Sequence, residues 1–145
     1  MGMNMAENAK KELDEFFAFA KIKSPAEMKA SAEHSVRGFL SVLLDEKAFR
    51  TDFLTFVCCS GIALAIPSLS ACERALMIYS VFMPLVAELV NTAIEKTIDR
   101  ISTDFHWLSG LAKDIGSSLV LVSFVGAGIV WAVILVAWAL RYFGI

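Results

Sequence analysis

Three observations predict an all-α integral membrane protein with three transmembrane helices preceded by amphipathic surface helices. The 145-residue chain is 57% hydrophobic and only 19% charged, against about 25% charged in ordinary globular domains. Its charges leave long gaps: no Asp, Glu, Lys or Arg occurs from Phe53 to Cys72, from Ala75 to Ala87, or from Ile115 to Leu140. Crossing about 30 Å of hydrocarbon takes about 20 helical residues. The first and third runs suffice alone, and the second suffices if it continues through Glu88 to Ile94. The third observation is that Lys and Arg gather at alternate ends of these runs, as they do in membrane proteins.

The elements follow in order. Residues 4 to 23 place Leu13, Phe16, Phe17, Ala20 and Lys21 at helical spacing, with Lys10, Lys11, Asp14 and Lys23 elsewhere around the wheel. This pattern fits an amphipathic helix in the membrane interface, with a partly ordered tail as the alternative. Ser24-Pro25 then reads as a helix start, with Ser as cap, Pro at the first helical position and Glu27 three residues after the Ser. The second helix is predicted from Pro25 to Leu44, with Val36, Phe39, Leu40, Val42 and Leu43 as its apolar face. Asp45-Glu46-Lys47 breaks it or turns it into the first span, Phe49 to Ile66, which stops at Pro67. The second span runs from Glu73 to Arg100, a polar connection from Ile101 to Ala112, and the third span from Lys113 to Tyr142. Residues 1–30 are read as an amphipathic or flexible extension and residues 31–145 as the membrane domain.

Lys21, Lys23, Lys29, Arg37, Lys47 and Arg50 precede the first span, and Lys96, Arg100 and Lys113 flank the second connection. The first connection has only Arg74, and the carboxyl end only Arg141. The amino terminus and the second connection are therefore expected in the cytoplasm, and the carboxyl end outside. The first thirty residues show no apolar run followed by a cleavage site, so no signal peptide is expected. Gly61 with Ala65, and Ser123 with Ala127, are small residues four apart, a spacing that lets helices approach closely.

Several function classes recede on composition. The net charge of −2 offers no field for nucleic acid. Cys58, Cys59 and Cys72 have neither a disulfide framework nor metal-type spacing, and read as small apolar residues. Trp107, Trp131 and Trp138 read as interface or packing aromatics. Neither GxxxxGK[ST] nor a Gly-rich kinase loop is present.

The informative stretch is ELVNTAIEKTIDR, residues 88–100. At about 3.6 residues per turn, Glu88, Asn91, Thr92, Glu95 and Asp99 share one helix face. An ionised side chain at mid-membrane costs roughly 2.5 to 3.5 kcal/mol on insertion scales, so such a stripe faces a polar interior, a cation or a partner charge. A snorkelling helix end accounts for Asp99 and Arg100, but not for Glu88, which lies about three turns deeper. Glu95 offers hard oxygens suited to magnesium, which one or two carboxylates hold together with phosphate oxygens. Glu46 could supply the second carboxylate. A carboxylate poised near neutral pH can act as a general base, the role that suits Glu88. Lys113 could hold phosphate as a point charge, and a helix start after Gly110 would add amide donors. With Asp45, Asp52 and Asp114, these groups gather at one membrane surface and make a metal–phosphate site chemically coherent.

ELVNTAIEKTIDR followed by STDFHWLSGLAKDIGSS, with DEKAFRTD and SVRGF upstream in the same order, resembles the signature of the small bacterial membrane diacylglycerol kinases. The resemblance covers Ser31 to Ala137. It implies a homotrimer of three-span subunits with surface helices, in the bacterial inner membrane, that phosphorylates a lipid hydroxyl with ATP and Mg²⁺ and yields phosphatidate. Glu88 then resembles the family's catalytic base, and Glu46 and Glu95 its metal ligands. Asn91 and Asp99 match polar positions lining the site. Asp104, Phe105, His106, Lys113 and Asp114 match nucleotide-contacting positions, joined by Ser35 and Arg37 on the surface helix. Ala48, Phe49, Arg50 and Ser117 match positions near the lipid, and Asp52 stands where the family has a Glu. Leu111 and Trp107 replace a basic and a polar residue. The family's site is shared between subunits.

The expected function is thus diacylglycerol phosphorylation. Undecaprenol, a long isoprenoid alcohol, is the alternative substrate within the fold. An oligomeric cation or proton conductor is the alternative of another class, since buried acids also line ion paths. That reading gives no role to Glu46 or to Lys113 with Asp114. A non-catalytic scaffold would leave Glu88 unexplained.

Overall fold

The computed structural model describes residues 5–20, 22–102, 104 and 106–144, with the side chains of Met5 and Ala6 left aside. Among the described residues it holds five helices: α1 (Met5–Ala20), α2 (Pro25–Asp45), α3 (Lys47–Ala65), α4 (Ala71–Ile101) and α5 (Trp107–Phe143). The chain divides into two compact units, residues 1–41 and 42–145.

In the first unit the expected helix start at Ser24-Pro25 is present. The Ser24 N–H donates to Glu27 Oε2 at 2.8 Å, and the Glu27 N–H donates to Ser24 Oγ at 3.4 Å. The Ser24 amide, and after it the Ser24 hydroxyl, hold the Glu27 carboxyl below its ordinary range. A depressed carboxylate stabilises only while ionised, so this reciprocal cap is in force at neutral pH and fades as pH falls through the folded-state value. Lys21, assigned above to the apolar face and to the cationic end, lies outside the described residues.

The second unit is a three-helix membrane bundle. Helices α3, α4 and α5 are each long and apolar enough to span a bilayer. Helix α4 is central and packs against both α3 and α5. Half of its apolar window, 50%, is buried, against 11% for α3 and for α5. At about 1.5 Å per residue, α4 and α5 exceed the hydrocarbon thickness. Their polar ends, at the connection between them, therefore extend past it.

The end of the bundle at the α3–α4 turn is pinned by side chains that reach across it. Ser70 caps α4 through a full capping box with Glu73, and Ser70 Oγ also donates to Glu73 Oε2 at 2.7 Å. The other carboxylate oxygen of Glu73 takes Arg141 Nη2 at 2.6 Å, tying the end of α5 to the start of α4. Arg74 donates to the Ile66 carbonyl at 3.1 Å. Trp138 and Trp131 donate their indole N–H groups to the carbonyls of Pro67 (2.8 Å) and Met77 (3.2 Å). Beside them Ala63, Leu69, Met77 and Ile134 form the buried core. Both tryptophans thus pack and bond, as their amphipathic rings allow.

One helix boundary differs markedly from expectation, and others by a few residues. The connection read as Ile101 to Ala112 is far shorter, because α5 begins at Trp107 rather than Lys113. His106 caps it, with Nδ1 accepting the Leu108 N–H at 3.3 Å. Gly110 is tolerated inside the first turns at a cost of about 1 kcal/mol. No helix start follows Gly110: its N–H bonds to the His106 carbonyl at 3.1 Å and offers nothing to a phosphate. Helix α4 begins slightly earlier than Glu73, at Ala71. The predicted break at Asp45-Glu46-Lys47 is present, with Glu46 extended at φ −99°, ψ 117°.

Replacing Trp138 by Phe keeps the ring but removes the donor to Pro67. It is expected to cost about 1 kcal/mol, read as a lower thermal midpoint in detergent micelles. An unchanged midpoint would mean the indole bond does not help hold this end.

Candidate active site

The opposite end of the second unit carries the acidic stripe, and the stripe is built by α4. Glu88, Asn91 and Thr92 are all buried, at 7%, 7% and 5% exposure. Glu95 follows one turn later, half-buried, and Asp99 is exposed at the helix end. Pro84, fully buried one turn before Glu88, removes one amide from the α4 ladder.

Glu46 reaches this stripe because of the break before α3. It occupies the N-cap position of α3 but its side chain does not cap the helix. The carboxylate instead pairs with Lys96 Nζ at 2.7 Å, fifty residues away in sequence. One cleft of about 490 Å³ is lined by Glu46, Ala48, Glu88, Asn91, Thr92, Glu95 and Ser117, and then by Val120, Leu121 and Phe124. Carboxylates and an amide thus occupy one part of its wall, and apolar residues of α5 another.

Asn91 organises this wall. Its Nδ2 donates to Glu95 Oε1 at 3.2 Å. Its Oδ1 is buried with no hydrogen-bond partner among the described residues. Gly116 of α5 makes the posture possible: a Cβ there would collide with Asn91 Oδ1.

A second cleft, of about 280 Å³, opens beside the α4–α5 connection. Ile98, Asp99, Ser102, Asp104, His106, Ser109, Gly110 and Lys113 line it. Lys113 Nζ pairs with Asp99 Oδ1 at 2.6 Å, leaving the ammonium half-buried at the cleft wall. The Asp104 N–H bonds to Ser102 Oγ at 2.9 Å, which turns the connection back toward α5.

Most of the residues singled out from the sequence therefore fall into two neighbouring groups. Glu46, Ala48, Glu88, Asn91, Glu95 and Ser117 share the first cleft; Asp99, Asp104, His106 and Lys113 share the second. Asp52 is half-buried on α3, Arg50 is exposed and donates to the Leu44 carbonyl at 2.5 Å, and Asp114 is exposed on α5. None of these three lines either cleft. Phe49, assigned near the lipid, is fully buried and offers no open surface. Ser35 and Arg37 belong to the first unit, exposed on α2, where Ser35 Oγ donates to the Ser31 carbonyl at 3.0 Å. Phe105 lies outside the described residues. Sequence reasoning missed Lys96 as the partner of Glu46 and Gly116 as the seat of Asn91. The signal for Lys96 was its position beside Glu95; Gly116 had none.

The donor set fits a divalent cation such as magnesium. Two carboxylates, Glu46 and Glu95, put hard oxygens on one cleft wall. Among the described residues no three acidic, His or Cys side chains are grouped closely enough to hold a metal alone. Such a wall suits an ion that arrives with phosphate oxygens of its own.

These features define a class: an integral membrane protein whose acidic cleft joins an apolar wall within the spanning bundle and is flanked by a polar pocket that holds a lysine. Residues 33–135 match the family model described as prokaryotic diacylglycerol kinase. Three bacterial proteins named diacylglycerol kinase align with the chain. That of Escherichia coli (strain K12) is 36% identical over 105 residues, covering 72% of this chain and 85% of that one. The Pseudomonas aeruginosa protein is 41% identical over 102 residues, covering 70% and 82%. The Haemophilus influenzae protein is 41% identical over 106 residues, covering 72% and 88%. The chain belongs to the prokaryotic diacylglycerol kinase family.

The Gly116–Asn91 contact has a measurable signature. Gly116→Ala is expected to cost about 1–3 kcal/mol alone and close to nothing in an Asn91→Ala background. A double-mutant cycle of thermal unfolding in micelles reads this coupling; additive losses would show that the two residues do not meet.

Proposed function

We propose that this chain is a lipid kinase that transfers the γ-phosphoryl group of ATP to the free hydroxyl of diacylglycerol, giving phosphatidate and ADP. The observation that carries this reading is the composition of the first cleft, where the buried Glu88 carboxyl shares one wall with Glu46, Asn91 and Glu95 and adjoins Val120, Leu121 and Phe124. An amphiphile with a hydroxyl at its polar end fits such a junction. The relatives are named for diacylglycerol, which favours it over undecaprenol.

In this reading Glu88 accepts the hydroxyl proton as the lipid oxygen bonds to the γ-phosphorus and the bond to the ADP oxygen breaks. Glu46 and Glu95 would hold Mg²⁺ together with the phosphates, and the bound ion would offset negative charge on the phosphoryl oxygens. Before the nucleotide arrives, Lys96 neutralises Glu46. Asn91 steadies the Glu95 carboxylate through its Nδ2 donor. Lys113, held by Asp99, faces the nucleotide phosphates, and Asp104, Phe105, His106 and Asp114 serve the nucleotide around it. Ser35 and Arg37 would add contacts from the surface helix. Ala48, Arg50, Asp52 and Ser117 stand along the approach of the lipid, with the buried Phe49 packed behind them.

The working assembly is a homotrimer. The wide open faces of α3 and α5 support it, since lipid or other subunits must cover them. The Lys and Arg distribution supports an inner-membrane orientation with the amino terminus and the α4–α5 connection in the cytoplasm, where ATP is, and the carboxyl terminus outside. Residues 31–145 make up the kinase domain and residues 1–30 an extension to it.

Glu88→Gln should reduce turnover by about 10²–10⁴-fold in a mixed-micelle assay with MgATP and diacylglycerol, while the fold and nucleotide affinity persist. Undecaprenol should be a poor acceptor for the wild type. Near-normal turnover by the variant would remove Glu88 as base. If the wild type phosphorylates neither lipid but makes liposomes leak cations, the kinase reading fails.

A further inference from the structure

One ion pair at the polar end of the bundle joins the first cleft to a residue outside its lining. Glu46 is part of the cleft wall, and Lys96 is not, yet the Lys96 ammonium sits on Glu46 Oε1 at 2.7 Å. Lys96 directly follows Glu95 in α4. The lysine and one of the two carboxylates that suit a metal therefore come from the same turn, and the other carboxylate comes from the start of α3.

An ammonium and a divalent cation compete for one carboxylate oxygen and repel each other. A bare divalent cation thus meets an acid that is already half spent, with a tethered positive charge beside it. The pair is also easy to open. The Lys96 and Glu46 side chains are 57% and 35% exposed, and pairs this open to water are weakly held. Once displaced, the ammonium needs another anion. Asp99, the acid one turn further along α4, is already held by Lys113 at 2.6 Å. Phosphate oxygens that enter with the metal supply an anion at the moment Glu46 is given up, and a lysine holds phosphate as a flexible point charge.

We infer that Lys96 is an exchange residue: it covers Glu46 until a ligand arrives, then moves to the phosphates of a nucleotide that enters with its divalent cation. The cleft thereby disfavours the cation alone and favours the cation–nucleotide complex. The inference rests on the reading of Glu46 as a metal ligand.

Electron paramagnetic resonance on the full chain in micelles tests it without turnover, using Mn²⁺ alone and Mn²⁺ with a non-hydrolysable ATP analogue. Lys96→Met keeps most of the stem and removes the charge. It should bind Mn²⁺ alone about fivefold more tightly than the wild type, and the manganese–nucleotide complex about tenfold less tightly. Helicity should be unchanged, because the pair is exposed. Lys47→Gln removes an exposed charge next to Glu46 in sequence but outside the pair, and should change either affinity less than about twofold. In a Glu46→Gln background, Lys96→Met should no longer strengthen binding of Mn²⁺ alone. Unchanged or weaker capture of Mn²⁺ alone by Lys96→Met, unchanged capture of the nucleotide complex, or the same two changes from Lys47→Gln would each overturn the inference. Glu46→Gln by itself separates the two readings. If it weakens capture of the complex while Lys96→Met changes nothing, the exchange fails and the metal site stands; if it has no effect, both fall.

Discussion

A carboxylate in a membrane-spanning helix has to be accounted for by everything around it. Hydrocarbon offers neither water nor a high dielectric, so Glu88 persists in α4 only because the bundle supplies a polar setting. The rest of the architecture is arranged to supply one. Helix α4 takes the central position, between α3 and α5. The break at Glu46 lets α3 start with an acid whose side chain is not spent on capping. Gly116 makes room on α5 for Asn91, which in turn steadies Glu95.

The two ends of the bundle solve opposite problems. At the α3–α4 turn the strong polar groups pair within the chain: Glu73 with Ser70 and Arg141, Arg74 with the Ile66 carbonyl, and the indole donors with backbone carbonyls. This end is a clamp. At the other end the pairs are fewer and more exposed, Glu46 with Lys96 and Lys113 with Asp99. Exposed pairs of this kind contribute about 0–1 kcal/mol, so they exchange readily for a charged ligand. An acidic cleft and a polar pocket holding Lys113 are left open there.

The spans were legible because hydrocarbon thickness acts on every residue of a run and leaves a one-dimensional trace. Glu88, Asn91, Glu95 and Asp99 were legible because helical periodicity puts them on one face without tertiary information. The Ser24–Glu27 cap could be read for the same reason. The Ser70–Glu73 cap carried the same local spacing and was overlooked beside the long apolar runs. The start of α5 was misplaced because Ser109, Gly110 and the polar residues before them suggest a loop, whereas the His106 cap decides the boundary. The contacts from Trp131 to Met77, Trp138 to Pro67 and Gly116 to Asn91 join residues distant in sequence, and no local pattern announces them. Fold and stripe were therefore open to inspection, while the way the stripe is held was not.

The central claim is that the α4 stripe and Glu46 form a metal–nucleotide site at one end of the bundle. Electron paramagnetic resonance of Mn²⁺ with a non-hydrolysable ATP analogue reads that site without turnover. Wild-type protein in micelles should capture the manganese–nucleotide complex, and Glu95→Gln and Glu46→Gln should each weaken capture at least about tenfold with helicity unchanged. Equal affinity in both variants would contradict the account.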